Sequence, residues 1–202
     1  MIKNISNLGD AALYCDFGTE VNKQINSEVI KYFNSIREKN IRGINNLTPS
    51  YNKLIISFDL KVTNFKEIKN EIEKLSESET QKIINKNLEI PVCCDASFSL
   101  DIDRLEKKLN LNKNEILENF FNQEFFCYMT GFIAGMPFLG DLSEKMRAQR
   151  LETPRVKVPK GSVGMTEQFA NIYTFESPGG WNIIGNTPLE VFQSSKEEEP
   201  NL

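Results

Sequence analysis

Residues 153–185 read TPRVKVPKGSVGMTEQFANIYTFESPGGWNIIG. This segment and the arginine just before it bring Arg150, Arg155, Lys157 and Lys160 together with Gly161, Gly164, Gly179 and Gly180, and place Trp181 directly after the double glycine. Glycine lets backbone or ligand approach closely, and exposed backbone N–H groups beside cations make a seat for a carboxylate or phosphate. The competing reading makes GSVG and SPGGW plain turns between strands. Residues 135–141, GMPFLGD, have the glycine spacing of a phosphate loop, but Asp141 stands where the lysine should be. As a nucleotide loop of that type the segment fails.

The chain contains no histidine. Ser-His-Asp and Cys-His catalysis are therefore excluded, and a general acid or base must be Asp, Glu, Lys, Tyr or Cys with a shifted pKa. Cys15, Cys93, Cys94 and Cys127 fit neither a CxxC pair nor a secreted disulfide framework, so buried, inert thiols and no metal site are expected. Lys and Arg number 24 against 28 Asp and Glu, a net charge of −4, with no sustained basic stripe. Nucleic acid is not an expected partner. No apolar run approaches the roughly 20 residues of a membrane span, and MIKNISNLGD lacks the apolar centre of a signal peptide. A cytoplasmic location without membrane contact is the expectation.

The first half must supply a scaffold of alternating strands and helices. AALYCDFG alternates Leu13, Cys15 and Phe17 onto one face, and Gly18 ends the strand. Thr19 is placed to cap a helix carrying Val21, Ile25, Val29, Tyr32, Phe33 and Ile36 at steps of three and four. IRGINNL and YNKLIISFDL form a hairpin across TPS; a helix follows with Phe65, Ile68, Ile72 and Leu75, and NLEIPV offers a last strand that Pro91 interrupts. The order β-α-β-β-α-β is the split βαβ, or ferredoxin-like, arrangement, set at residues 1–90. SESETQ reads as a solvated helix end or loop. Helices then fall on DIDRLEKKLN and NKNEILENFFNQ, the second opened by an Asn112/Glu115 capping box. From Phe125 onward the pattern becomes short strands punctuated by Gly and Pro, that of a compact barrel or sandwich. The chain is thus expected to be α+β, with a second domain at residues 91–202.

ISNLGDAALYCDFG, GFIAGMPFLGDL, TPRVKVPKGSVG and ESPGGWNIIGNTPLEVF occur in one order over nearly the whole chain. Together they resemble the family of allophanate hydrolase subunit 1, the Kip inhibitor of a sporulation histidine kinase and the 5-oxoprolinase B subunit. The resemblance implies a cyclophilin-like β-barrel after the ferredoxin-like domain, its glycine loops lining a concave site. It also implies a non-autonomous chain. The partner would be a larger homologous subunit, of the type of allophanate hydrolase subunit 2 or the 5-oxoprolinase C subunit. The third component would be the 5-oxoprolinase A subunit. ATP, with Mg2+, would be co-substrate for opening an amide or lactam of a small carboxylate. By position in the motifs, Arg155, Lys157, Gly161, Ser162 and Gly164 would form one wall. Phe132, Gly135, Pro137, Phe138 and Gly140 would form a second, and Ser177, Pro178, Gly179, Gly180 and Trp181 a third. Arg155, Lys157 and Glu124 are the candidates for catalysis. Two further readings of the same resemblance are a non-catalytic regulator of the kinase-inhibitor type and a stand-alone barrel binding a small carboxylate.

The chain departs from the family's pattern in identifiable places. CCDASFSLD keeps only Cys93, Phe98 and Asp101 of a Cys-Tyr-Gly-Gly-Glu-Phe-Gly-Pro-Asp stretch. Phe120 stands at a usual histidine. EQFANIY replaces Gly-x-Gln-Thr-Gly-Ile-Tyr, with Phe169 and Ala170 where Gln and Thr are expected. Each phenyl ring removes a donor or acceptor and occupies space. Restoring His and Gln would recover turnover if those positions abolish the site. The family also continues past TPLEVF into a final strand, where this chain has QSSKEEEPNL, an acidic solvated tail. A barrel without that strand would leave an edge for a partner to cover.

Overall fold

The computed structural model describes residues 1–75 and 87–193. The chain divides into two compact units, Met1–Lys86 and Asn87–Leu202. SESETQ and most of the acidic tail lie outside the described residues.

In the first unit β1 (Asn4–Asn7), β2 (Ala12–Asp16), β4 (Lys53–Phe58) and β3 (Ile44–Pro49) form one antiparallel sheet in that order. Alternation buries Leu13 and Cys15 of β2 and Leu54, Ile56 and Phe58 of β4 on one face. Helix α1 (Lys23–Lys39) adds Val29, Tyr32 and Ile36 to this core, and α2 (Phe65–Glu73) adds Ile68 and Ile72. Asn22 rather than Thr19 caps α1, accepting from the Ile25 N–H at 2.9 Å, which leaves Val21 ahead of the helix. Pro49 ends the edge strand β3, where its missing N–H costs no ladder bond. The expected last strand at residues 87–92 does not form. The sheet edge beside β2 is taken by β1, and Ile90 and Val92 pack instead on the core of the second unit.

The second unit opens with α3 (Ile102–Leu109) and α4 (Lys113–Phe121). The Asn112/Glu115 capping box is present, with both reciprocal hydrogen bonds made. β5 (Phe126–Thr130), β6 (Pro137–Gly140), β8 (Ser162–Thr166), β9 (Phe169–Ile172) and β11 (Asn182–Asn186) follow as one antiparallel sheet ordered β11-β8-β9-β6-β5. β7 (Arg155–Val158) and β10 (Ser177–Gly179) pair separately. The five-stranded sheet is apolar on both faces. Val163, Met165, Ala170, Ile172 and Ile184 join Leu105, Ile116 and Phe120 of the helices in one core. Ile183 joins Tyr173, Met136 and Val158 in a second, which includes a β7 residue. Residues one apart along β8 and β9 therefore serve different environments, the period of two that a strand imposes.

Candidate functional site

Asp101 precedes α3 as its N-cap, yet its carboxylate caps no helical N–H. Oδ1 accepts instead from Arg155 Nη2 at 2.5 Å and Oδ2 from the Ile183 N–H at 2.6 Å, while the Asp101 N–H donates to the Ile183 carbonyl at 3.0 Å. Asp101 is 5% exposed and the Arg155 side chain 26%. A charge-assisted pair so enclosed fixes the guanidinium of β7 relative to α3 and β11. Its other terminal nitrogen, Nη1, is buried without a hydrogen-bond partner in the protein.

Gly179 lies opposite Arg155 in the β7–β10 ladder, and a Cβ there would stand 2.2 Å from the Tyr173 hydroxyl. Glycine at 179 therefore makes room for the phenol. Burial pushes the pKa of Tyr173 up, while the Asn171 amide, the Trp181 backbone and the charges of Arg155 and Arg150 act in the opposite direction. Asn171 is fully buried, its amide directed to the Tyr173 hydroxyl. Phe138, Asn171, Gly164 and Ile183 stand in one cross-strand row through β6, β9, β8 and β11. A Cβ on Gly164 would meet Asn171 Oδ1 at 2.7 Å and Trp181 Cβ at 3.1 Å. Trp181 and Phe138 pack edge to face with centroids 5.7 Å apart. The buried Ser177 Oγ on β10 also lacks a partner in the protein.

Of the residues expected to form walls, Arg155, Gly164, Phe138, Gly179 and Trp181 thus gather around Tyr173 and Asn171, with Ser177 and Pro178 on the adjoining strand. Gly180 contributes its carbonyl, which accepts from the Leu151 N–H at 2.6 Å. Gly161 turns from β7 into β8 at φ 82°, and Ser162 is buried two residues along β8 from Gly164. Gly135 packs under the ring of Phe192, and Gly140 under Tyr128. Pro137 is buried at the start of β6, and Phe132 is 72% exposed at φ 67°. Lys157 departs from expectation: although period two groups it with Arg155, it is 74% exposed and paired with Glu176 at 2.9 Å, whereas Asp101 draws Arg155 inward. Glu124 is exposed in the turn before β5. Neither is brought to Arg155 by a hydrogen bond or ion pair among the described residues.

Asp101, Tyr173 and Asn171 lie at this candidate site, and sequence reasoning did not single them out. Asp101 carried a signal, as one of three residues kept in an otherwise altered stretch; Asn171 and Tyr173 sit at the alternate positions of β9 and its extension, where period-two reading groups them. The departures fall elsewhere. Phe120 and Ala170 are buried in the core shared with the helices, whereas Phe169 packs near Tyr128 and Gly140. Cys15 is buried and its thiol pKa pushed up to about 12 by that burial, whereas Cys127 is exposed, against the expectation of buried thiols throughout. No helix of the described residues is long and apolar enough to cross a membrane.

The fold and site define an α+β protein of two units, the second holding a half-buried arginine, paired to Asp101, near a sheet face that carries Gly164. The chain belongs to the carboxyltransferase domain family, subdomain C and D, which it matches over residues 3–202. It is 33% identical to the 5-oxoprolinase B subunit of Bacillus subtilis over 98% of this chain and 87% of that protein. Identity is 29% to the Haemophilus influenzae protein of the same name, over 98% and 92%. Among solved structures, PH0987 from Pyrococcus horikoshii is 33% identical with a TM-score of 0.53, over 96% of this chain and 89% of that one. The urea amidolyase of K. lactis shares the fold with a TM-score of 0.73 at 20% identity, over 91% of this chain and 13% of that one.

Proposed function

We propose that this chain is a subunit of an ATP-dependent hydrolase that opens an amide or lactam C–N bond, of the 5-oxoprolinase type, converting 5-oxoproline to glutamate. The observation that carries this reading is the near full-length similarity, at 33% identity, to a 5-oxoprolinase B subunit. The enclosed Arg155 supports it: a fixed guanidinium with Nη1 unpaired suits the carboxylate of the substrate or charge developing on a reacting oxygen. A regulator acting through an apolar surface alone would need no such cation.

The first unit is a variant of the ferredoxin-like arrangement in which β1 occupies the edge usually given to the last strand. The second is of the cyclophilin-like barrel type. The chain acts in the cytoplasm with a larger homologous subunit, joined in the 5-oxoprolinase setting by a third component. Among the described residues no group of three His, Cys, Asp or Glu side chains is placed to hold a metal ion, and GMPFLGD forms β6 and its flanks rather than a loop opening a helix. On this reading ATP, with Mg2+, is the co-substrate of the assembled enzyme.

The test is ATP-dependent conversion of 5-oxoproline to glutamate by this chain co-purified with its larger and third subunits. Turnover that vanishes when this chain is omitted is the expected result. An intact complex without turnover would sink the assignment.

A further inference from the structure

Phe132, at the tip of the β5–β6 hairpin, sits where neither its backbone nor its ring gains from the fold. Among the described residues Asn40, Asn110, Phe132 and Glu167 are the non-glycine positions with positive φ, and Phe132 alone of them is apolar. At φ 67° a bulky residue is disfavoured, since glycine or asparagine takes the left-handed backbone far more readily. The ring is also 72% exposed, so burial offsets little of that cost. The tip is nevertheless held firmly. The Gly131 N–H donates to the Met136 carbonyl at 3.0 Å, the Met136 N–H to the Ile133 carbonyl at 3.1 Å, and the Thr174 hydroxyl to the Ala134 carbonyl at 2.7 Å. Ile133 and Met136 belong to the second apolar cluster. The inward residues thus fix the hairpin and leave Phe132 standing out, a strained backbone that presents an exposed ring.

Phe132 is part of a larger apolar face. Gly135 of the same hairpin lies under the Phe192 ring, where a Cβ would come within 2.3 Å, and Phe192 meets Phe175 edge to face with centroids 6.0 Å apart. Phe175 is exposed, as is Leu189 in the segment that carries Phe192. Two ion pairs border these rings. Lys160 meets Glu190 at 2.6 Å and lies 6.0 Å from the Phe175 centroid, and Lys157 meets Glu176 at 2.9 Å. Aromatic side chains inside a polar rim are the make-up of a protein–protein interface. Each rim cation already has its carboxylate, so the face offers no excess charge and suits an apolar surface better than an anion. β10 begins at Ser177, two residues beyond Phe175, so the face runs into the β7–β10 ladder that carries Arg155.

We infer that this face is where the larger subunit of the complex docks, with Phe132 as the anchor that enters an apolar recess of that subunit. This rests on the subunit reading above. A partner seated here adjoins the strand pair holding Arg155, which brings groups of both subunits to that place. A second copy of this chain fits less well: it would set one exposed Phe132 ring against another, with Phe175 and Phe192 already packed together. The rigid hairpin sets the ring before binding, so less ordering is lost when the subunits meet.

The experiment titrates the full chain, wild type or Phe132→Gly, with the purified larger subunit by calorimetry, after the Tm of each chain alone is recorded. Glycine relieves the backbone and removes the anchor, so the two effects part: Tm is expected at or above wild type, while Kd rises about tenfold or more. A Phe132 with only a structural part would give the reverse, a lower Tm and an unchanged Kd. Hydrogen exchange of the wild-type chain puts the same question without a variant, since the larger subunit should protect the amides of residues 131–136 and 174–176. A Kd for Phe132→Gly within about twofold of wild type, or protection confined to other segments, would overturn the inference and leave the subunit reading standing. Failure of the wild-type chain to bind the larger subunit at all would overturn both. Concentration-dependent dimerisation of the chain that Phe132→Gly abolishes would overturn the inference by giving the face to a second copy.

Discussion

Replacing Asp101 by alanine removes the acceptor for two hydrogen bonds at once. One is the 2.5 Å bond from Arg155 Nη2, the other the 2.6 Å bond from the Ile183 N–H. Ile183 is 0% exposed, so its N–H would be left with no route to water. Breaking a buried ion pair by deleting one partner costs about 3–5 kcal/mol. Arg155 retains 26% exposure, which lets solvent recover part of that, so about 3 kcal/mol is the expected loss. For a chain of this length each kcal/mol lowers Tm by about 2–4 °C, giving about 6–12 °C in all. Asp101→Asn keeps an acceptor for Ile183 but loses the charge, and should cost about half as much. Trp181, the single tryptophan, lies beside β11 and makes urea unfolding followed by its fluorescence a reading of the second unit. The cycle through Arg155→Ala and the double variant should return a coupling of about 1–3 kcal/mol. Asp101→Ala within about 0.5 kcal/mol of wild type, with no coupling, would refute the claim that this pair fixes the guanidinium.

Four further outcomes are expected. Glu167 turns from β8 into β9 at φ 48°, so Glu167→Gly should stabilise the second unit by about 0.5–1 kcal/mol after the flexibility of glycine in the unfolded chain is subtracted, readable in the urea midpoint. Gly164→Ala places a methyl 2.7 Å from Asn171 Oδ1 and should cost about 1–3 kcal/mol, most of it recovered in the Gly164→Ala/Asn171→Gly pair. Lys53 and the Gly18 N–H hold Asp16 below its ordinary carboxylate pKa; a depressed folded value adds stability above the unfolded pKa, near 4, that disappears as pH falls through the folded one. Acid unfolding of the first unit should therefore lose this component in Asp16→Asn, by well under 1 kcal/mol because the pair is partly solvated, as circular dichroism between pH 5 and pH 2 would register. Phe120→His buries an imidazole in an apolar core and should cost about 2–4 kcal/mol without raising turnover of the complex; a gain in turnover would contradict the placement of Phe120.

Much of the scaffold was legible because one physical rule dominated each segment. Leu13, Cys15 and Phe17 alternate and are buried; Val29, Tyr32 and Ile36 recur at helical spacing and are buried; Asn112 and Glu115 make the capping box their spacing promised. The errors arose where two rules competed. Both Thr19 and Asn22 are good caps, and only the path of the chain after Gly18 decides between them. NLEIPV has strand-like side chains, but β1, absent from the expected order, fills the sheet edge they would have taken. A short polar strand such as NISN has no alternation strong enough to announce itself, and pairing with β2 alone creates it.

The site was legible at the level of loops and less so at the level of side chains. Arg155 and Lys157 share a strand, and a cation in the sequence says nothing of which way it points. Period two then separates residues 155 and 157 from Val158, but the β7–β10 irregularity between Ser177 and Gly179 alters the facing, and it is Asp101, from 54 positions away, that draws Arg155 inward. A tertiary partner of that kind leaves no local trace. Tyr173 and Asn171 were hidden for a different reason: a buried polar residue in a strand pattern looks like noise in the alternation.

The departures from the family pattern take a different meaning once the two sides of the sheet are told apart. Phe120, at a usual histidine, and Ala170, at a usual threonine, belong to the same apolar core, 3% and 0% exposed. One position has gained an aromatic ring and the other has lost a hydroxyl in a compartment where neither change leaves a polar group unsatisfied. Cores accept such paired changes when volume and patterning are kept. Arg155, Tyr173, Gly164 and Gly179 meet outside that compartment, around the second apolar cluster and the Asn171 amide. A substitution on the helix side alters what supports the sheet; one at Asn171 alters what the sheet presents.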